Sequence, residues 1–351
     1  MTDRVLSPRA LNRSLLARQL LLERSALHLP AALERVAGLQ AQYAPSAYVA
    51  CWTRLRDFRR EALTEALERR QVVQATLLRS TIHVVSAADY PKLAAGLRGG
   101  RRAWWLRTHQ RRAPGLDLAA AAASLRRHLA GGPRRRAELT ALLAAEGYPA
   151  LAWSGVGLWL DLVRVPPSGT WEHRRADLYG LADEWLGPSR VSEAEGLEHL
   201  VRRYLGGFGP AAAADVASWA GIPAAALRPA LARLRLRRFR DERGAELLDL
   251  PGAPLPDPET PAPVRFLPTW DATLLVHARR TQILPERYRG RVFDTRTPHS
   301  VPTFLVDGAV AGAWRHQGGR VRLEPFGRLP AAARRALEEE AERLAAFHAD
   351  R

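Results

Sequence analysis

The strongest constraint on the fold is one pattern met three times along the chain: apolar residues at helical spacing, then two short β-prone runs. In the first copy leucines recur at Leu11, Leu15, Leu16 and Leu20, and residues 30–39 and 60–70 continue the helical period. The period then switches to two. Residues 72–76 and 81–85 read as strands joined by Leu77-Leu78-Arg79-Ser80. In the second copy Leu118–Leu129 and residues 134–146 read as helices, separated by Gly131-Gly132-Pro133 and ended by Gly147. Residues 153–161 read there as a recognition helix, and residues 162–165 as a strand that turns through Pro166–Gly169 and returns over 170–172. The third copy opens on Ser192 with Glu195 three residues on, a capping pair. Helical stretches at 194–205, 211–219 and 224–233 follow, the last two joined by Gly221-Ile222-Pro223. Strands at 234–240 and 246–250 close the copy. Helices completed by a hairpin are the order of a winged helix. The expected class is α+β, mainly α, with three tandem winged-helix units.

The expected boundaries are 7–86 for the first unit, 87–190 for the second and 191–263 for the third. The third unit includes a stretch, 251–263, with six prolines among thirteen residues that reads as an extended connection. Residues 264–351 form a C-terminal β-rich segment with strands at 301–306, 309–314 and 320–323 and a closing helix at 330–348. The Glu and Arg residues of that helix read as a solvated face.

The formal net charge is +17, carried almost wholly by arginine, since Lys92 is the only lysine. A GC-rich coding sequence explains arginine in place of lysine, but not a surplus of cations over acids. Such a surplus suits a polyanion, and double-stranded DNA is the expected partner. No run of eighteen uncharged apolar residues marks a membrane span, and the N-terminus lacks the apolar core of a signal peptide. The lone Cys51 makes neither a disulfide nor a thiolate cluster. A monomeric cytoplasmic protein without a membrane partner is the expectation. Arg101–Arg112, interleaved with Trp104 and Trp105, reads either as a backbone track or as buried tryptophans with solvated arginines; the second reading is favoured.

Common catalytic constellations are missing from the sequence. There is no phosphate loop, no Gly-x-Ser-x-Gly elbow, no His-Glu-x-x-His and no Cys-x-x-Cys, so neither a metal nor a cofactor is expected. A regulator or architectural factor, binding DNA without chemistry, is the default reading of pattern and composition. One stretch stands apart. The helix-like run 31–37 leads into Gly38-Leu39-Gln40-Ala41-Gln42-Tyr43-Ala44-Pro45, with two carboxamides one residue apart. On a helix such a pair diverges; at a frayed helix end the two can converge on one cleft.

Four motifs taken together resemble one bacterial family. They are Leu39-Gln40-Ala41-Gln42, Ala75–Ser86, Leu162–Trp171 and Leu267–Leu275. The family is the tandem winged-helix group of the azinomycin-resistance DNA glycosylase and its interstrand-crosslink-repair relatives. The resemblance runs through Leu323–Pro330 and the closing helix. It implies three winged helices in a C-shaped arrangement around duplex DNA, and excision of N7-alkylated guanines, crosslinked ones included, without metal or cofactor. The family signature is Gln, an apolar residue, then Gln or Asp. Gln40 and Gln42 match its Gln-Gln form and are the implied catalytic pair. Ala41 is smaller than the usual middle residue. Arg79 and His83 on the first hairpin, with Arg164, Arg279 and Arg280, are the residues set against DNA. His83 also reads as packing locally, and Trp270-Asp271 as structural.

The chemistry suits two neutral amides. Glycosidic cleavage passes through an oxocarbenium-like state, and an ordinary base needs acid help to leave. An N7-alkylguanine is already cationic and departs neutral. Carboxamides accept and donate hydrogen bonds without titrating. Two of them supply position for a water near C1′ rather than proton transfer. In this reading Gln42 holds the water and Gln40 assists, with the reverse assignment open.

Overall fold

Ser7 starts the first helix: its Oγ accepts from the Ala10 N–H at 3.2 Å, and Pro8 takes the first helical position. The computed structural model describes residues 4–274, 278, 280–294 and 299–349. A strand the sequence reading missed, β1 (Arg4–Leu6), precedes α1 (Pro8–Arg18). Then come α2 (Leu29–Val36), β2 (Leu39–Gln40), α3 (Ala44–Arg54), α4 (Arg60–Glu68) and the hairpin β3 (Val72–Thr76) and β4 (Ile82–Ser86).

The second copy holds α5 (Tyr90–His109), α6 (Leu118–Leu129), β5 (Arg134–Arg135), α7 (Arg136–Ala145), α8 (Ala152–Val156), β6 (Leu162–Arg164), β7 (Leu178–Leu181) and α9 (Ala182–Leu186). Two expectations fail here. The helix expected over 153–161 stops at Val156. Gly155 seats its Cα against Trp105 and Leu118, and Gly157 ends the helix. The strand expected over 170–172 does not form, and β6 pairs with β7 instead. Ser168 explains the longer excursion. Its Oγ donates to the Arg175 carbonyl at 2.7 Å and accepts from the Asp177 N–H at 2.8 Å, closing residues 168–177 into a loop. Trp171 leaves the sheet for an apolar cluster, edge-on to Tyr48 at 5.6 Å.

The first two hairpins share one sheet. Its order is β2-β4-β3-β6-β7-β5, joined across the copies by antiparallel pairing of Gln74 with Arg164 and Ala75 with Val163. Val73, Ala75 and Val85 turn their side chains into a core they share with Leu200, Val201 and Tyr204.

The third copy comprises α10 (Glu193–Phe208), α11 (Ala213–Ala220), α12 (Ala224–Arg233) and the hairpin β8 (Arg237–Asp241) and β9 (Glu246–Asp249). The Ser192/Glu195 capping box forms as expected. Strand β1 lies parallel to β8, so the N-terminus belongs to the third hairpin's sheet. The proline-rich stretch is pinned rather than loose: Ser14 and Arg18 donate to the Pro254 carbonyl and Arg13 to that of Thr260.

Helices α5 and α10 cross through glycines. A Cβ on Gly96 would sit 2.4 Å from the Gly196 carbonyl carbon, and one on Gly196 2.2 Å from the Gly96 nitrogen. Backbone on both sides cannot yield as a side chain would. Gly96→Ala gains about 1 kcal/mol of helix propensity, yet overpacking costs about 1–3 kcal/mol, occasionally more. The net result expected is destabilisation, read as a lower urea midpoint; an unchanged or higher midpoint contradicts the close crossing.

The remaining chain forms β10 (Arg265–Leu267), α13 (Arg289–Val292), β11 (Phe293–Asp294), β12 (His299–Ser300), β13 (Thr303–Val306), β14 (Ala309–Gln317), β15 (Arg320–Pro325) and α14 (Ala331–Ala349). A four-stranded antiparallel sheet runs β10-β13-β14-β15. Phe266, Phe304, Trp314 and Phe347 fill one cluster with Leu33, Val36 and Leu39 from the first copy. The closing helix is not wholly solvated, because Glu340 is buried and paired with Arg24.

Candidate active site

Helix α2 ends before the glutamines. Ala37 and Gly38 both take the left-handed conformation, at φ 64° and 79°, and the Gly38 N–H bonds back to the Leu33 carbonyl at 2.8 Å. A Cβ on Gly38 would meet Val85 Cγ1 at 2.8 Å, so this turn requires glycine. The chain therefore enters an edge strand, not the frayed helix end expected from the sequence. Gln40 pairs with His83, and the Ala41 N–H donates to the Ile82 carbonyl at 2.8 Å. In extended chain, alternate residues project to the same face. Leu39 and Ala41 pack into the apolar cluster of Leu33 and Val36, which leaves Gln40, on the strand, and Gln42, in the bend just past it, outside that cluster.

Both carboxamide oxygens are already held. Gln40 Oε1 accepts from Arg79 Nη2 at 3.2 Å, and Gln42 Oε1 accepts from the Ile82 N–H at 3.0 Å. These donors fix which end of each amide is oxygen. Among the described residues neither Nε2 has a hydrogen-bond partner. Gln40 is buried, at 6% exposure, whereas Gln42 is exposed.

Arg79 was expected at a projecting wing tip, and the tip folds inward instead. Leu77 and Leu78 are buried in one core with Trp219 and Ile222. The Arg79 guanidinium is half-buried, donating from Nη1 to the Trp219 carbonyl at 2.7 Å. Arg79 and Ser80 both sit at positive φ, 49° and 62°. The left-handed conformation costs a non-glycine residue roughly 1–2 kcal/mol. Burial brings the Arg79 pKa down to about 10, which leaves it charged at neutral pH. Arg101 behaves alike, also lowered to about 10 by burial, and donates to the Thr76 carbonyl and Ser80 Oγ, each at 3.2 Å.

The other residues set against DNA fare differently. His83 is buried, 3% exposed, with its Nδ1 3.0 Å from the Thr81 carbonyl oxygen. Burial, helped by the Arg79 charge, pushes its pKa down to about 3. Arg164 is also buried. Its guanidinium donates to Thr76 Oγ1 at 3.0 Å, Tyr179 OH at 3.1 Å and the Ala176 carbonyl at 3.0 Å, which ties it within the sheet. Arg280 is buried, donating to Tyr204 OH at 2.8 Å and lying over Phe208. It too is withdrawn from a surface role. Arg279 lies outside the described residues. Of the two tryptophans in the basic patch, Trp105 is buried and Trp104 is exposed.

The neutral His83 gives a pH prediction. With a folded pKa of about 3 against about 6.5 unfolded, the unfolded chain binds more protons between those values. Stability is therefore full above pH 6.5 and falls as pH drops toward 3, by about 1.4 kcal/mol per pH unit for this one group. Urea titrations at pH 7, 6 and 5 check it: His83→Phe should flatten the slope, and an equally steep slope in that variant rules the histidine out.

One rim feature had no sequence signal. Tyr43, 45% exposed and adjacent to Gln42, accepts from Arg174 Nη1 at 3.0 Å. Tyr43 stood in the motif, but Arg174 reaches it only because residues 168–177 fold as a loop.

The chain thus carries two carboxamides at one sheet edge of a helix-and-hairpin fold, with Arg79 held against the first. The sequence model described as DNA glycosylase AlkZ-like matches residues 33–347, and the chain belongs to the AlkZ-like DNA glycosylase family. The solved structure of the Streptomyces sahachiroi DNA glycosylase AlkZ superposes with a TM-score of 0.81 at 19% identity, covering 98% of this chain and 97% of that one. At that identity the likeness speaks for the fold. No curated protein matches the sequence.

Proposed function

We propose that this chain is a monofunctional DNA glycosylase that hydrolyses the N-glycosidic bond of N7-alkylguanine in duplex DNA, interstrand crosslinks included. The observation that carries the proposal is the pair of carboxamides at one sheet edge, their oxygens held and, among the described residues, their nitrogens without a partner. Family membership and the +17 charge support it. In this reading the three helix-and-hairpin copies act as winged helices around the duplex, and the protein works as a cytoplasmic monomer on nucleoid DNA, needing neither metal nor cofactor.

The cationic base needs no acid, and none of the side chains bonded to the glutamines is a carboxylate or a titrating histidine. The task left to the protein is placement of water and sugar. Gln42 Oε1 keeps a second lone pair beyond the Ile82 bond, and its Nε2 is open, so Gln42 can hold a water in both senses. Tyr43, with Arg174 beside it, offers a face and a cation to the flanking nucleotide and phosphate. An open edge also accepts a bulky adduct without full base flipping.

The test is incubation with duplex carrying N7-methylguanine, followed by alkali cleavage at abasic sites. Alkali-labile breaks at the lesion are expected. Salt-sensitive duplex binding without base release would instead identify a DNA-binding protein with no chemistry.

A further inference from the structure

We infer that Arg79 is a positioning residue that makes Gln40 the donor of the pair and leaves water-holding to Gln42. The inference rests on the glycosylase reading above and assigns its two roles.

Three observations converge on Arg79. Its guanidinium joins two parts of the fold: Nη2 donates to Gln40 Oε1 at 3.2 Å and Nη1 to the Trp219 carbonyl at 2.7 Å, in the last turn of α11. A cation at a helix C-terminus sits where the helix dipole favours it. Second, the backbone is held in place. Arg79 and Ser80 are both left-handed, and Gly221, itself at φ 74°, lies so close that a Cβ there would be 2.9 Å from Arg79 Cα. Strained backbone persists where its surroundings over-determine it, and such places cluster at functional sites. Third, the contact is sheltered on one side: Gln40 is 6% exposed and the Arg79 guanidinium is half-buried. Charge-assisted hydrogen bonds are strongest in such surroundings.

The two glutamines therefore differ. A guanidinium on Oε1 draws electron density from the Gln40 carboxamide, weakening that oxygen as an acceptor and strengthening its unpaired Nε2–H as a donor. Gln42 Oε1 meets only a neutral backbone N–H and stays the better acceptor. Gln40 then donates to an oxygen of the sugar or its phosphate, and Gln42 accepts from the attacking water. Because the Trp219 carbonyl holds the other end of Arg79, the third helix-and-hairpin copy sets the aim of a residue in the first.

Arg79→Met keeps the aliphatic stem and removes both bonds. Single-turnover base release is expected to fall about 10- to 100-fold, the loss of one charge-assisted hydrogen bond, with duplex Kd and its salt dependence unchanged. Arg79→Lys should recover part of the loss, since one ammonium reaches only one of the two carbonyls well. In a Gln40→Ala background Arg79→Met should cost nothing further. Equal losses in both backgrounds overturn the inference, as does a salt slope reduced by about one contact, which marks Arg79 as a phosphate ligand. If Gln40→Ala alone leaves release intact, the glycosylase role of Gln40 fails instead. A readout free of activity keeps the two apart. The Gln40 side-chain amide resonance, assigned by its absence in Gln40→Ala, should shift toward free glutamine in Arg79→Met; an unmoved resonance overturns the inference.

Discussion

Gln42→Ala is expected to lower single-turnover release of N7-methylguanine by about 100-fold, the usual consequence of misplacing a reacting group, with duplex Kd nearly unchanged. The side chain is exposed and its Oε1 satisfies one backbone N–H, that of Ile82, which water can bond instead. Truncation therefore leaves the fold intact and removes only the water's partner. Gln40→Ala should give a loss of similar size, with some stability lost as well, because Arg79 is left facing a cavity. Both variants retaining full release would end the assignment of this edge as the active site. Loss of release together with loss of duplex binding would recast the glutamines as DNA ligands. Equal denaturation midpoints for Gln42→Ala and the parent protein are the control that separates chemistry from folding.

The largest stability effect is expected from Asp271→Ala, a loss of roughly 3–5 kcal/mol, typical when one partner of a buried ion pair is removed. Arg54 donates through Nη1 and Nη2 to the two Asp271 oxygens, each at 2.9 Å, and both side chains are almost fully buried. Arg54 also donates to the Ala50 carbonyl at 3.1 Å, and Asp271 accepts from Thr273 Oγ1 at 2.8 Å. Removing the carboxylate strands a guanidinium between α3 and the segment after β10. The double change Arg54→Met with Asp271→Leu should regain most of the loss, because a well-packed apolar pair often matches a buried ionic one. Urea unfolding of the three variants checks this. A loss below about 1 kcal/mol for Asp271→Ala, the range of an exposed ion pair, would contradict the burial.

The pair shows what sequence can and cannot reveal. Asp271 lies in a motif already read as structural, but nothing local points to Arg54, distant in the chain and resembling any other basic residue. Elements with short-range causes were legible: the Ser192 cap, the first hairpin's change of period and the helix at 118–129 all appear where read. The second hairpin was misread because a proline-glycine turn signals a reversal without saying how soon the chain re-pairs. Ser168 and Trp171 decided that, one by closing a loop and the other by finding an aromatic cluster. At the site the glutamines were legible as residues, but not their strand. That depended on Ala37 taking a left-handed conformation beside Gly38, a choice alanine rarely makes. Arginines were hardest to read. With so many in the chain, side-chain type could not separate Arg164 and Arg280, which lie within the fold, from Arg174 at the rim.

The sheet shared by the first two copies bears on how this protein can be divided. A fragment ending after β4 would leave β3 without β6, opening backbone groups at Gln74 and Ala75 that the whole chain pairs. Unpaired edges of that kind recruit other chains. The glutamine edge is thus no portable cassette: transplanted with its own hairpin alone, it would arrive sticky and without the Trp219 carbonyl that steadies Arg79. Grafting it onto another scaffold would mean carrying β6, β7 and the last turn of α11 with it.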